Sequence, residues 1–146
     1  MARRWIALAV ALLVIGAAAA AALAALRPDA TRSSVARGAD LYQANCASCH
    51  GGPTGGGMMD YPPKHNANGH TWHHPDCELI EVIKEGGGPM TEMMRRMMAP
   101  PDAPKMVAFK DKLTDEEIGS ILDHIKSWWT PDQRRLQEQV TRQQCG

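Results

Sequence analysis

Apolar residues recur at helical spacing in four short stretches of this chain, and in one longer stretch they run unbroken. The unbroken one is WIALAVALLVIGAAAAAALAAL, Trp5 to Leu26, 22 residues without a charge behind Arg3 and Arg4. As a helix it would measure about 33 Å, enough to cross the hydrocarbon core of a bilayer, so residues 1–27 are expected to form an N-terminal transmembrane anchor. Half of the run is alanine, and its small residues offer Ala-x-Ala-like cleavage sites, so removal as a signal segment is the second reading. Residues 28–34 then read as a polar linker. The first periodic stretch follows: Val35, Ala39, Leu41 and Tyr42 approximate one face of a short helix that leads into Cys46. A second helix is predicted at DCELIEVIKEGGG, with Leu79, Ile80 and Ile83 as its apolar side and Gly86 to Gly88 as its stop. MTEMMRRMM is a third, cut off by Pro100 and Pro101. The fourth, KLTDEEIGSILDHIKSWW, has a Thr114–Glu117 capping box and apolar Ile118, Ile121, Leu122, Ile125 and Trp129. A polar helix restarts after Pro131. No alternating strand pattern stands out, so the domain is expected to be all-α.

Between the first two helices lies GGPTGGGMMDYPPKHNANGHTWHHP, residues 51–75, too rich in Gly, Pro and Asn for regular structure. A loop of that length in so small a domain needs something to wrap around. Composition points the same way. The chain is 44% hydrophobic yet only 5% aromatic, thin for a domain that must supply its own core, and a large flat cofactor would provide the missing apolar surface. Charge excludes one class of partner. Residues 1–30 hold three of the 16 basic side chains and one of the 16 acidic ones, which leaves a net of −2 for the remainder. That balance, without any basic block interleaved with aromatics, gives no footing for nucleic acid.

Cys46-Ala47-Ser48-Cys49-His50 is the C-x-x-C-H attachment signature for c-type haem. The spacing has a chemical reason. Two thiols must reach two vinyl groups on neighbouring pyrrole edges, and two intervening residues let them straddle that distance, which throws the adjacent His50 beneath the iron. A C-x-x-C redox pair would want a βαβ setting, which is absent. A zinc site would have to borrow His73, His74 or Cys77, without a second pair at finger-like spacing. Covalent haem attachment happens outside the cytoplasm, so the haem domain is expected in the periplasm, facing outward from a bacterial inner membrane or soluble after cleavage.

With these residues in view, the chain resembles the class I c-type cytochromes over about residues 35–130, with a tail at 131–146. GADLYQANCASCHG is similar to the family's N-terminal helix and haem motif, and KMVAFKDKLTDEEIGSILDHIKSWW to the segment running from its axial methionine into the C-terminal helix. Tyr61-Pro62-Pro63 stands where the family has Pro-Pro-Leu. The pairing of NGHTWHHPD with IKSWWTPDQRRLQEQ resembles a bacterial branch of membrane-anchored or periplasmic monohaem cytochromes. The resemblance implies three to five short helices around one covalent haem c, held by Cys46 and Cys49, with His50 as proximal and Met106 as distal ligand of the iron. It implies further that a proline carbonyl at Pro62-Pro63 accepts the bond from the proximal histidine's Nδ1. The sequence departs from the family at Lys64, at Val107 and in a Met-rich insertion before Met106. A thioether ligand favours Fe(II) relative to a second imidazole. A closed His/Met iron leaves no position for substrate, so the expected function is one-electron transfer between respiratory protein partners, with no catalytic residue and no small-molecule substrate.

Other residues keep two readings. Met90, Met93, Met94, Met97 and Met98 fall on one helical face, which either packs on the haem as adaptable apolar bulk or offers soft thioethers to copper. Met58, Met59, His65, His70, His73 and His74 are candidate helpers for copper. The His70–His74 cluster either has structural roles or ligates a metal, and Trp72 is expected to line the haem pocket with its N–H on a propionate or carbonyl. Cys77 and Cys145 either join in a disulfide or stay unpaired within the chain. His124 reads as a helix-surface residue. Gly38 and Tyr42 are expected to cross the last core helix near Ile125 and Trp128 or Trp129. Two functional alternatives follow: a copper-handling haem protein, and an electron-relay subunit of a membrane oxidase or dehydrogenase.

Overall fold

The computed structural model describes residues 30–54 and 62–146. The apolar run from Trp5 to Leu26, and Met58, Met59 and Tyr61, lie outside the described residues. No described helix is long and apolar enough to cross a membrane. Contacts divide the chain between Ser33 and Ser34, and the second unit, Ser34–Gly146, carries all that follows.

The described elements are helical, with no strand among them. They are α1 (Ala30–Asn45), the single turn α2 (Ala47–His50), a 3-10 turn at Thr71–His73, α3 (Asp76–Glu85), α4 (Pro89–Met98), α5 (Asp115–Lys126) and α6 (Pro131–Gln144). Helix α1 begins at Ala30, inside the stretch expected as linker. No Gly or Pro stands in 30–34, so the helix runs through that stretch unbroken. Helix α5 starts where its capping box predicts, with Thr114 Oγ1 accepting from the Glu117 amide at 3.2 Å and the Glu117 carboxylate accepting from the Thr114 amide at 2.9 Å. It ends three residues before the expected Trp129. The Ser127 hydroxyl donates to the His124 carbonyl at 2.6 Å, and the backbone tightens so that Trp128 bonds Ile125 and Trp129 bonds Lys126. Thr130-Pro131 then blocks continuation.

The core is Tyr42, Phe109, Leu113, Ile118, Ile121, Leu122, Ile125 and Trp129. Four of these come from α5 at i, i+3, i+4 and i+7, so α5 is the helix around which the others assemble. Helix α1 crosses it at Gly38. A Cβ placed there would sit 1.9 Å from the Ser120 carbonyl oxygen, so only glycine lets the two backbones touch. Around that point Tyr42 meets Trp128 edge-on with ring centroids 5.0 Å apart, and Arg37 pairs with Glu116 and Glu117 at 2.8 and 3.3 Å. Trp128 is thus the tryptophan at the crossing, whereas Trp129 enters the core and donates its indole N–H to the His65 carbonyl at 2.8 Å. His124 is not a plain surface residue. It packs against Gly38, Tyr42 and Trp128, its Nδ1 is buried without a hydrogen-bond partner, and burial lowers its pKa.

Helix α6, almost devoid of apolar positions, is held by polar bonds instead. Thr130 and Gln133 cap each other, and Gln133 also donates to the Ala67 carbonyl at 2.8 Å. The buried Gln137 amide reaches Asp76 at 2.7 Å and the His74 carbonyl at 3.2 Å, while Thr141 accepts from the Asp76 amide at 3.0 Å. At its end Cys145 is disulfide-bonded to Cys77, with Cα atoms 5.8 Å apart. The last helix therefore grips the start of α3 and the loop before it.

Candidate functional site

Cys46, Cys49 and His50 stand on one helical turn. Cys46 caps the turn, its amide continuing the α1 pattern to Tyr42 O at 2.8 Å, and the His50 amide returns to Cys46 O at 2.9 Å. Residues three and four apart on a helix share a face, so the turn presents both thiols and the imidazole together. Gly51, with φ +73°, turns the chain away immediately afterwards, and the Tyr42 hydroxyl fixes that exit by donating to the Gly51 carbonyl at 2.9 Å. Cys46 is half-buried against the core, and Cys49 is exposed. Burial, and the neighbouring Cys49, push the Cys46 thiol up to about 11. A dithiol redox centre needs the opposite, a thiol pKa depressed toward neutrality, so the environment speaks against that reading of the motif.

The His50 ring is oriented from across the loop. Its Nδ1 lies 2.8 Å from the Pro63 carbonyl oxygen, and since a carbonyl only accepts, Nδ1 carries the proton and Nε2 keeps its lone pair. Burial lowers the His50 pKa, partly offset by this bond, so the ring is a neutral donor base. Pro62 stands beside Pro63 in the half-buried approach to this bond. His65, expected as a helper in a copper cluster, is placed elsewhere. Its ring stacks on His50 with centroids 4.2 Å apart, its Nδ1 meets the Thr71 hydroxyl at 2.9 Å, and burial pushes its pKa down to about 3.

Met106 is half-buried beside the core. Its segment is clamped to the C-terminus of α3. Gly86 caps α3 in the left-handed conformation, φ +73°, and a Cβ there would lie 2.7 Å from the Met106 carbonyl oxygen and 2.8 Å from both Val107 C and Ala108 N. Just beyond, the Phe109 amide bonds the Ile83 and Lys84 carbonyls at 3.1 Å each, and Lys110 pairs with Glu85 at 2.9 Å. The Gly-rich stop of α3 was legible as a helix end. Its second duty, admitting the backbone of the Met106 segment, was not, because nothing local in GGG names a partner twenty residues away.

Trp72 directs its indole N–H to the Gly69 carbonyl at 2.8 Å, and its ring lies 3.6 Å from the ring of His73. His74 pairs with Glu78 at 3.0 Å. Among the described residues no three His, Cys, Asp or Glu side chains converge to hold a metal ion. His65, His73 and His74 each have a contact of their own, with Thr71, Trp72 and Glu78. Met90, Met93, Met94, Met97 and Met98 are exposed on the polypeptide, so their face is no part of the protein's own core, and the reading in which it packs on haem stands beside the copper one. Arg95, on the opposite side of α4, donates to the Ala103 carbonyl at 3.2 Å.

The chemistry of these donors can be set against a haem. Leu41, Cys46, Trp72, Leu79, Ile80, Ile83 and Met106 pack on the core yet keep part of their apolar surface uncovered. They add partly uncovered apolar side chains to two thiols on one turn, a neutral imidazole and a thioether. That set fits the group.

The class defined by these observations is a small all-α domain that carries a C-x-x-C-H turn under an oriented histidine. The description of the Cytochrome c family matches residues 35–129, about two thirds of the chain, and the chain belongs to that family. It is accordingly a haem-based electron carrier that acts on redox protein partners. No curated protein and no solved structure matches the chain.

Proposed function

We propose that residues 35–130 carry one haem c, attached through Cys46 and Cys49 and ligated by His50 and Met106, and that the domain passes single electrons between respiratory proteins. Each thiol adds across one vinyl group, sulfur to one carbon and hydrogen to the other, with no net oxidation. When bound, the haem supplies an iron that cycles between Fe(II) and Fe(III). The chain's residues do the rest. His50 is held in one tautomer by Pro63, which makes its Nε2 a better donor. Met106 is fixed through the backbone of its neighbours on α3, so its sulfur moves little when the charge on the iron changes. The partly uncovered apolar side chains would keep water from the site, and an open haem edge would be the surface through which electrons leave.

The observation that carries the reading is the 2.8 Å bond from His50 Nδ1 to the Pro63 carbonyl. It is the arrangement expected of a ligating histidine and has little purpose for a solvent-facing one. The same reading requires export of the domain. The Cys77–Cys145 disulfide supports an oxidising compartment, and residues 1–27 would serve as membrane anchor, or as a removed signal, with the domain on the periplasmic side. The stretch 28–34, helical from Ala30 onward, would join that segment to the domain, with 131–146 a C-terminal helical tail. Mass measurement of the purified protein decides whether the segment is kept.

The test is the ferric absorption spectrum of the holoprotein beside Met106→Ala. The parent is expected to show the weak red charge-transfer band of a thioether on Fe(III), and the variant to lose it. A variant that keeps the band would move the ligand to another sulfur. A parent without it would remove Met106 from the iron altogether.

A further inference from the structure

Helix α4 is amphipathic with its apolar side outward. Met90, Met93, Met94, Met97 and Met98 are 67, 46, 40, 74 and 56% exposed. At 100° per residue, Met90 and Met97 mark the middle of that face, and they are the most exposed, so the face is no part of the protein's own core. The charged residues lie on the other side. The Arg95 and Glu92 side chains are only 14% and 27% exposed. The Glu92 carboxylate accepts from Arg95 Nε and Nη2 at 2.8 and 3.0 Å and from Arg96 Nε at 2.9 Å, and it pairs with Lys105 at 3.6 Å. These contacts fasten α4 to the segment that leads into Met106 and leave the outer face with no charge of its own.

Five apolar side chains on an outer helix face could be leucines if apolarity were all that mattered. What they share is sulfur. Thioethers are soft, neutral donors that suit Cu(I), and Met side chains, with three rotatable bonds, can converge on one point. We propose that this face binds one Cu(I) through Met93, Met94 and Met97. The choice follows from helix geometry. Neighbours three or four apart have Cβ atoms about 5–6 Å apart, whereas Met90 and Met97 are separated by about 10.5 Å of helical rise. The sets of three that fall within one i to i+4 span, each with one thioether three or four residues from both others, are Met90-Met93-Met94, Met93-Met94-Met97 and Met94-Met97-Met98. The proposed set is the central one, and Met94 belongs to all of them. No cysteine thiol competes. Cys77 and Cys145 are joined, and Cys46 and Cys49 are consumed once haem is attached. That last clause rests on the haem reading, so the test uses holoprotein in which thiol titration finds no free thiol; a protein with free Cys46 and Cys49 would reveal failure of the haem reading separately.

The experiment is an anaerobic titration of the holoprotein with Cu(I) in ascorbate against a chromophoric Cu(I) chelator, repeated with Ag(I) as a redox-inert soft cation. The parent should withdraw one equivalent from the chelator. Met94→Leu, which keeps volume, apolarity and helix propensity, should lose that equivalent, while Met90→Leu, which leaves the other two sets intact, should keep it. The haem spectrum of each variant checks that the fold survives. No metal withdrawn by the parent would overturn the proposal and leave the face to an apolar partner. Retention by Met94→Leu would overturn it too, and a loss on replacing His70 and His73 would then move the copper to the histidines.

Discussion

Gly86→Ala is the substitution on which the account of Met106 turns. Two costs add. Alanine in the left-handed conformation that Gly86 adopts costs about 1–2 kcal/mol. Its Cβ would also meet the backbone of Val107 and Ala108 at 2.8 Å, where ordinary contact begins at 3.4 Å, so the Met106 segment must retreat by roughly 0.6 Å. Forcing packed backbone to shift in this way costs about 1–3 kcal/mol. The total, roughly 2–5 kcal/mol, is read from guanidinium unfolding of the holoprotein. The second part alone bears on the iron, since it is paid only when Met106 is in its native place. Added imidazole should therefore displace the thioether about 5–150-fold more easily in the variant, followed by loss of the red charge-transfer band. Gly119→Ala is the control: nothing lies within 4 Å of its Cβ, and the position is inside α5. It should raise stability by about 0.5–1 kcal/mol and leave imidazole binding unchanged. If Gly86→Ala unfolds like the parent and resists imidazole equally, the close approach of α3 to the Met106 segment does not hold the ligand, and that part of the reasoning is wrong.

Three further outcomes are expected. Replacing both Cys77 and Cys145 with alanine opens a loop of 68 residues, worth up to about 4 kcal/mol by chain entropy; urea unfolding checks it, and a change within error would mean that the polar bonds of α6 suffice alone. Thr114→Ala removes one half of the capping box of α5 and should lower stability by about 1 kcal/mol, with Thr114→Ser restoring most of it. For pH, the sign follows from His124, whose pKa burial lowers in the fold. Below about pH 6.5 the unfolded chain binds a proton there that the folded chain refuses, so stability is full above that value and declines as pH falls. His124→Gln should flatten that decline, and an unchanged slope would show that other groups carry it.

Much of this was legible because it is local. CASCH fixes its own turn, Thr114-x-x-Glu117 its own helix start, and Gly38 beside Tyr42 already marked a close helix crossing. The same kind of reading would have found the Thr130–Gln133 cap, since TPDQ carries the same spacing. What could not be read depends on which way an element rolls once packed. The periodicity of α4 defines an apolar face and a charged face, and usual burial assigns the first to the core. The Glu92 network instead ties the charged face to the segment before Met106, through Lys105 and the Ala103 carbonyl, both outside the helix. His65 was equally opaque, for its place beside His50 depends on bonds from Thr71 and from Trp129, the latter 64 residues away.

The fastening of α6 at both ends has a consequence for how the chain comes apart. Terminal helices usually fray first and are nicked first. Here the terminus is bonded at Thr130, Gln137, Thr141 and Cys145, while α4 has no buried residue. Amide exchange should therefore begin in the middle of the chain, and a protease should cut near residues 95–100 before it trims the end. The two pieces would not separate. Cys77 lies on one and Cys145 on the other, so a nicked molecule would travel as a single band until a reductant divides it.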